Sequence, residues 1–367
     1  VTYSTTQHSL INFVPLLAYY TAAFRTALPT PAVDYLSLIC LNSDLTPASI
    51  GSAQTAACHE CLRQLCLETR EFAKLLGDIY SDGTRIPGTI EQCSKLIKLD
   101  THEDFLHAIT VQAAAIADER GQVADAVLLY HLCEDYDNVV SILNRALADA
   151  ATLDLGESPM QLQPLKPRDK AVPGQTQDGQ AHTSSSTISS SLSLTQSTSS
   201  PTELAKNMIS LYNSNAAYYN RISQSNRKTI GALLQMLIAR AHLESNPPRY
   251  MDALEDLNVL GVLPLKADGS IPAIRAAAAI FGALPPLLAR CVGVTVVWAI
   301  TAIGGERENL ARNGGWDGGY GDDREGMKEM LGSMAKDLMV FAGLVKYKLP
   351  ARVYDMLTRV GSDVGAY

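Results

Sequence analysis

The sequence predicts an all-α protein, an elongated and irregular solenoid of stacked antiparallel helices, and three observations lead there. Apolar residues recur in alternating steps of three and four, helix-like segments follow one another across very short turns, and the period-two alternation of strands is nearly absent. Cys58, Leu62, Leu65, Thr69, Phe72, Leu76 and Ile79 form one such stripe, which predicts one face of a long helix. Leu204, Met208, Leu211, Asn215, Tyr218 and Ile222 form a second, and Met327, Met330, Met334, Leu338, Phe341 and Val345 a third. Only the run Val292 to Val297 also fits a strand.

The short-turned pairing is clearest between residues 101 and 149. Thr101 predicts a cap for a helix from His102 to about Arg120, with Glu103 and Asp104 in the first turn, where carboxylates favour the helix dipole. Gly121 ends it. A second helix is predicted from Gln122 to Cys133, a turn at Glu134-Asp135, and a third helix from Tyr136 to Asp149. Connections this short force antiparallel neighbours. The middle helix is apolar almost all round (Val123, Ala126, Val127, Leu128, Leu129, Leu132), so both its faces must be covered. A helix sandwiched between hairpins is what a layered stack requires. No fixed repeat length is present, so the stack is irregular.

Composition narrows the function classes. A chain of 367 residues that is 47% hydrophobic can bury a large core as two compact domains or one extended array. It opens on Val1 rather than methionine, which suggests a piece of a longer protein. The net charge of −8 and the absence of a basic block argue against direct nucleic-acid binding, which needs clustered Lys and Arg to neutralise phosphates. Seven cysteines scattered over helical segments fit a reducing compartment better than a disulfide framework. There is no basic n-region followed by an apolar run. The most apolar stretch, Leu284 to Ile303, contains Pro285, Pro286 and Arg290. Its uninterrupted part from Cys291 is shorter than the roughly 20 residues of a membrane span, which predicts a buried core helix.

Two segments break the helical pattern. From Gly156 to Ser200 the chain carries four prolines and then a run, Thr183 to Ser200, in which 14 of 18 residues are Ser or Thr and none is charged. Such a stretch cannot bury enough apolar area to offset about 1–2 kcal/mol of backbone entropy per residue. It is expected to be a disordered linker or inserted loop, a solvated spacer more readily than a phosphorylation platform. The expected organisation is a helical block over residues 1–155, the linker over 156–200, and a second block over 201–367 with a Gly-rich loop at 304–321.

Candidate chemistry is sparse. Cys58-His59-Glu60-Cys61 with Cys66 is the nearest approach to a metal constellation, but all five lie on one predicted helix and no second ligand pair is evident. Buried cysteine as a small hydrophobe is the better reading. The glycines around Trp316 lack the strand, helix start and Lys-Ser/Thr of a phosphate loop, and Asp317, Asp322 and Asp323 would repel phosphate. His102 and His107 do not share a face well, and His131 and His242 read as satisfied core or edge residues. No catalytic motif is found, so no enzyme activity, cofactor or metal is expected.

The stretch GQVADAVLLYHLCEDYDNVVSILNRALAD, Gly121 to Asp149, closely resembles the nucleoporin-interacting component family, the helical scaffold nucleoporins of the nuclear pore inner ring. Further matches fall in the expected order: INFVPLLAYYTAAFR with AVDYLSLICLN, then ELAKNMISLYNSNAAYYNRI, then ALEDLNVLGVLPL. They cover essentially the whole chain and have a fungal character. The resemblance implies a folded-back α-solenoid related to vesicle-coat scaffolds, acting as a structural constituent of the pore at the nuclear envelope. It implies indirect support of protein import and mRNA export, and binding to other nucleoporins, including a short motif of a disordered adaptor nucleoporin. The competing reading is a helical-repeat coat or tethering protein of vesicle traffic.

A stack of hairpins also offers grooves that suit an amphipathic or extended peptide. Leu234, Leu237, Leu257 and Leu260 exceed what one core stripe needs, which places the expected partner-peptide groove among them.

Overall fold

The computed structural model describes residues 13–44, 48–79, 84–163, 198–312, 321–345, 353–355 and 358. Among these, helices dominate and a single two-stranded ribbon is the only sheet. Contacts divide the chain into two units: Val1–Ile142 with Gln161–Arg221, and Leu143–Met160 with Ile222–Tyr367. The expected blocks, 1–155 and 201–367, followed the change in composition. Packing groups the residues differently, since the boundary falls inside a helix and residues 201–221 belong to the first unit.

The first unit begins with α1 (Phe13–Ala22), α2 (Pro29–Ser37), a 3₁₀ turn (Leu38–Asn42) and α3 (Ala48–Thr69). The stripe predicted as one helix from Cys58 to Ile79 is buried as expected but not continuous. Arg70 turns left-handed at φ +55°, and the chain resumes as α4 (Phe72–Leu75) and β1 (Gly77–Ile79), which pairs antiparallel with β2 (Arg85–Pro87). The side chain of Arg70 accounts for the break. Its guanidinium makes a bidentate pair with the buried Asp125 at 2.5 and 2.8 Å and donates to Gln163. Carboxylate–guanidinium pairs of this geometry are among the stronger polar contacts and hold the turn.

After α5 (Thr89–Gln92), the helix expected from His102 appears as α6 (His102–Phe105), a π-turn (Leu106–Val111) and α7 (Gln112–Glu119). Thr101 caps it as anticipated, its Oγ1 accepting from the Asp104 N–H at 3.1 Å. Gly121 leaves the helix at φ +70°. α8 (Val123–Leu132) is buried almost throughout, and α9 (Tyr136–Thr152) follows across the turn at Glu134, itself at φ +56°. α9 contributes its residues up to Ile142 here and the rest to the second unit. α10 (Pro201–Ser214) and α11 (Ala216–Asn220) complete the first unit; their stripe is interrupted because Asn215 caps α11, its Oδ1 accepting from Ala217 N–H.

Most of the Pro/Ser/Thr-rich segment, residues 164–197, lies outside the described residues. Its flanks meet: the Leu162 N–H donates to the Ser199 carbonyl at 2.9 Å, and Leu162 is buried.

The second unit holds the C-terminal part of α9 with α12 (Gln224–Glu244), α13 (Tyr250–Val259), α14 (Ile271–Gly282), α15 (Pro286–Arg312) and α16 (Gly321–Leu344). The loop expected at 304–321 is corrected in its first part, where α15 runs on as helix to Arg312; residues 313–320 lie outside the described residues. The expected loop began at Gly304 and Gly305. Gly305 instead lets the ring of Tyr250 lie directly against the α15 backbone, where any Cβ would overlap it. α15 is long and apolar enough over 18 residues to cross a membrane by length and composition, yet 61% of that window is buried inside the protein. Trp298, Val292, Val296 and Ala299 face the core of this unit, as expected of a core helix.

Candidate functional site

The four leucines named from sequence sit on the α12–α13 hairpin, whose two helices pack extensively on each other. Leu257 is fully buried and Leu237 nearly so, whereas Leu234 and Leu260 are half-buried. The first two therefore pack in the hairpin interior. The reason their number exceeded one stripe is that α13 packs on α15 as well as on α12, and both faces need apolar groups. Between these helices Gln235 Nε2 donates to Asp256 Oδ1 at 2.8 Å, and His242 Nδ1 lies 2.8 Å from Asp256 Oδ2. The Gln235–Asp256 hydrogen bond clasps the two helices.

An open concavity lies on the neighbouring side of α13. A cavity of about 250 Å³ is lined by Met251, Asp252, Leu254, Glu255 and Asn258 of α13, Leu265 and Lys266 of the following turn, and Met330 and Met334 of α16. Leu254 and Leu265 are buried and form the floor. Met251, Met330 and Met334 are half-buried walls, and Asp252, Glu255 and Lys266 are exposed at the rim. Asp252 has Arg249 at 3.5 Å. The segment around Leu265 is tied to α16 one turn further on, where the buried Asp337 accepts from Gly269 N–H at 3.2 Å. Sequence reading placed Met330 and Met334 on the apolar stripe of one helix face. The density of methionine there was the available signal, because unbranched thioethers recur at adaptable binding surfaces.

The remaining candidates resolve as structure. Cys58 and Cys66 are fully buried on α3, and the Cys58 thiol donates to the Leu36 carbonyl. Its hydrogen bond with Cys40, together with burial, holds the Cys58 thiol far above the ordinary range; burial pushes the Cys66 thiol up as well. His59 Nε2 is engaged with the Ile97 carbonyl at 2.9 Å. Among the described residues no three His, Cys, Asp or Glu side chains converge as a metal site. His102 meets Glu91 at the surface, and His107 is exposed. His131 is buried, 3.1 Å from the Tyr212 hydroxyl and packed among Tyr136, Tyr212 and Tyr218; burial pushes it down to about 4.

Helices stacked in short-turned hairpins, with almost no strand among the described residues, define an irregular protein of the α-solenoid class. The Nup93/Nic96 family model matches residues 1–356, and this chain belongs to that family. It is 41% identical to nucleoporin NIC96 of Chaetomium thermophilum over 99% of its length and 32% of that protein. It is 30% identical to nucleoporin NIC96 of Saccharomyces cerevisiae over 95% of its length and 36% of that protein. A stretch of 138 residues is 31% identical to the nuclear pore complex protein Nup93 of Danio rerio, covering 38% of this chain and 15% of that one. The crystal structure of Chaetomium thermophilum Nic96 SOL superimposes with a TM-score of 0.78 at 39% identity, over 98% of this chain and 48% of that one. The chain thus spans about a third of the curated fungal relatives it matches.

Proposed function

We propose that this chain is a non-enzymatic structural constituent of the nuclear pore complex. On this reading it binds other nucleoporins through its helical surfaces, and a disordered adaptor nucleoporin through a short linear motif. The observation that carries the reading is family membership along the whole chain, on a fold of the same helical architecture. Two further features support it. Large apolar side chains are exposed on α1 and α2 of the first unit, among them Leu16, Tyr19, Tyr20 and Tyr35, as expected of a protein that works inside an assembly. The net charge of −8 supports protein rather than nucleic-acid partners. Location at the nuclear envelope and indirect support of protein import and mRNA export follow from the same reading. The vesicle-coat alternative shares the architecture, but family membership favours the pore.

Expressed with a fluorescent tag in a fungal cell, the chain should concentrate at the nuclear rim. Cross-linking mass spectrometry should return scaffold and adaptor nucleoporins as its neighbours. A cytoplasmic vesicular pattern with coat subunits as neighbours would overturn the reading.

A further inference from the structure

Cys40 and Cys58 stand apart from the other cysteines, because among the described residues theirs are the two thiols that hydrogen-bond one another. Cys40 lies in the 3₁₀ turn (Leu38–Asn42) that follows α2, and Cys58 lies in the middle of α3 (Ala48–Thr69). Turn and helix pack closely along one face of α3, on which Gly51, Thr55 and Cys58 are spaced as neighbours. At Gly51 the approach is so close that the Ser43 carbonyl leaves no room for a Cβ. Thr55 hydrogen-bonds Cys40 in turn. Cys58 also donates to the Leu36 carbonyl at 3.4 Å, which holds its sulfur at the corner between α2 and the 3₁₀ turn. Two thiols from different elements are thus fixed against each other.

Their surroundings give the two sulfurs different roles. Cys40 is 2% exposed, yet Leu38 and Leu41 on either side of it are 41% and 65% exposed, so the turn that carries it is a surface element. The hydrogen bond from Cys58 draws the Cys40 thiol below its ordinary range against the opposing effect of burial, and Thr55 and the nearby Lys98 charge assist. The same contact and burial keep Cys58 protonated. A thiol inclined to ionise beside one that keeps its proton supplies both an attacking and a resolving sulfur. We infer that Cys40 and Cys58 form an oxidation-responsive dithiol, which hydrogen peroxide converts to a disulfide that clamps the 3₁₀ turn to α3. The Cys40 thiolate attacks one peroxide oxygen: an S–O bond forms, the O–O bond breaks, and the departing hydroxide takes a proton from solvent to leave as water. The Cys58 sulfur then attacks the sulfenic sulfur: the S–S bond forms, the S–O bond breaks, and the Cys58 proton leaves with the hydroxide as a second water. The two sulfurs lose two electrons and the peroxide gains them. A small thiol reductant reverses the step by exchange.

The test is titration of the reduced full chain with hydrogen peroxide, followed by peptide mapping without reductant and by hydrogen exchange. The peptide carrying Cys40 should become joined to the peptide carrying Cys58, with loss of two hydrogens from the chain mass. Amide exchange along residues 48–58 should slow by about tenfold or more, because the cross-link restricts opening of the turn, and dithiothreitol should restore the original rate. Cys61→Ser should leave the cross-link in place. Cys58→Ser should stop the reaction at a Cys40 sulfenic acid, captured by a cyclic diketone, and Cys40→Ser should leave Cys58 unmodified at the same dose. Should a serine variant fail to fold, the peptide map of the unsubstituted chain still decides. A cross-link to a different cysteine, oxidation of Cys40 without a cross-link, or no reaction before the chain unfolds would overturn the inference.

Discussion

Arg240 shows how much of a helical stack can rest on one side chain. It is nearly fully buried, its Nη1 donating to the Ala150 and Leu153 carbonyls and its Nη2 to those of Asp154 and Glu157, while Nε meets Glu244 at 2.9 Å. The last carbonyls of α9 have no partner within the helix, so the guanidinium closes that end and the turn beyond it. Arg240→Met should therefore cost about 3–5 kcal/mol, read as a lowered denaturation midpoint. Arg240→Lys should recover less than half, because an ammonium cannot reproduce the planar fork.

His131 makes a second test at this scale. Its folded value of about 4 lies below the ordinary 6.5, with burial as the cause and Glu134 opposing it weakly. The neutral ring is the form that folding favours, so its contribution is fully present above pH 6.5. It declines as pH falls towards 4, where it is lost, at no more than about 1.4 kcal/mol per pH unit and about 3 kcal/mol in total. Urea midpoints between pH 7 and 4.5 should show this slope, and His131→Gln should flatten it. Sequence suggested that His131 was a satisfied core residue. It could not supply the tyrosine partner, which comes from 81 positions away.

At the scale of elements, periodicity was legible wherever a helix follows its own preference, and failed where a distant side chain intervenes. The segment from residue 101 to α9 matched because its cap, its Gly121 exit and its turn at Glu134 are local signals. The break at Arg70 was not legible, since it depends on Asp125, far along the chain. The glycines of α15 are a similar case. A Cβ on Gly304 meets nothing within 4 Å, whereas one on Gly305 overlaps the Tyr250 ring. Gly304→Ala should stabilise by about 0.5–1 kcal/mol through helix propensity. Gly305→Ala should instead destabilise by about 1–3 kcal/mol, as overpacking does, and regain much of that loss in combination with Tyr250→Ala. Thermal midpoints of Gly304→Ala, Gly305→Ala, Tyr250→Ala and the Gly305→Ala/Tyr250→Ala pair would decide it.

At the scale of the molecule, α15 illustrates why composition alone misleads. Its apolar window qualifies as a membrane span, but most of it is committed to packing with α13, α12 and α16. The purified chain should therefore stay out of liposomes in a flotation assay; co-flotation would mean that the helix leaves its core.

Sequence by itself determined the all-α class, the principal helices from residue 101 to α9 and the family. All of these depend on residue type and local spacing, which a linear text carries in full. Tertiary structure alone decided that Leu237 and Leu257 belong to a closed hairpin, and that three methionines from α13 and α16 frame an open slot beside it. Both follow from which faces of non-adjacent helices meet, and a helical stripe says only that a face is apolar, not whether the protein or a partner covers it.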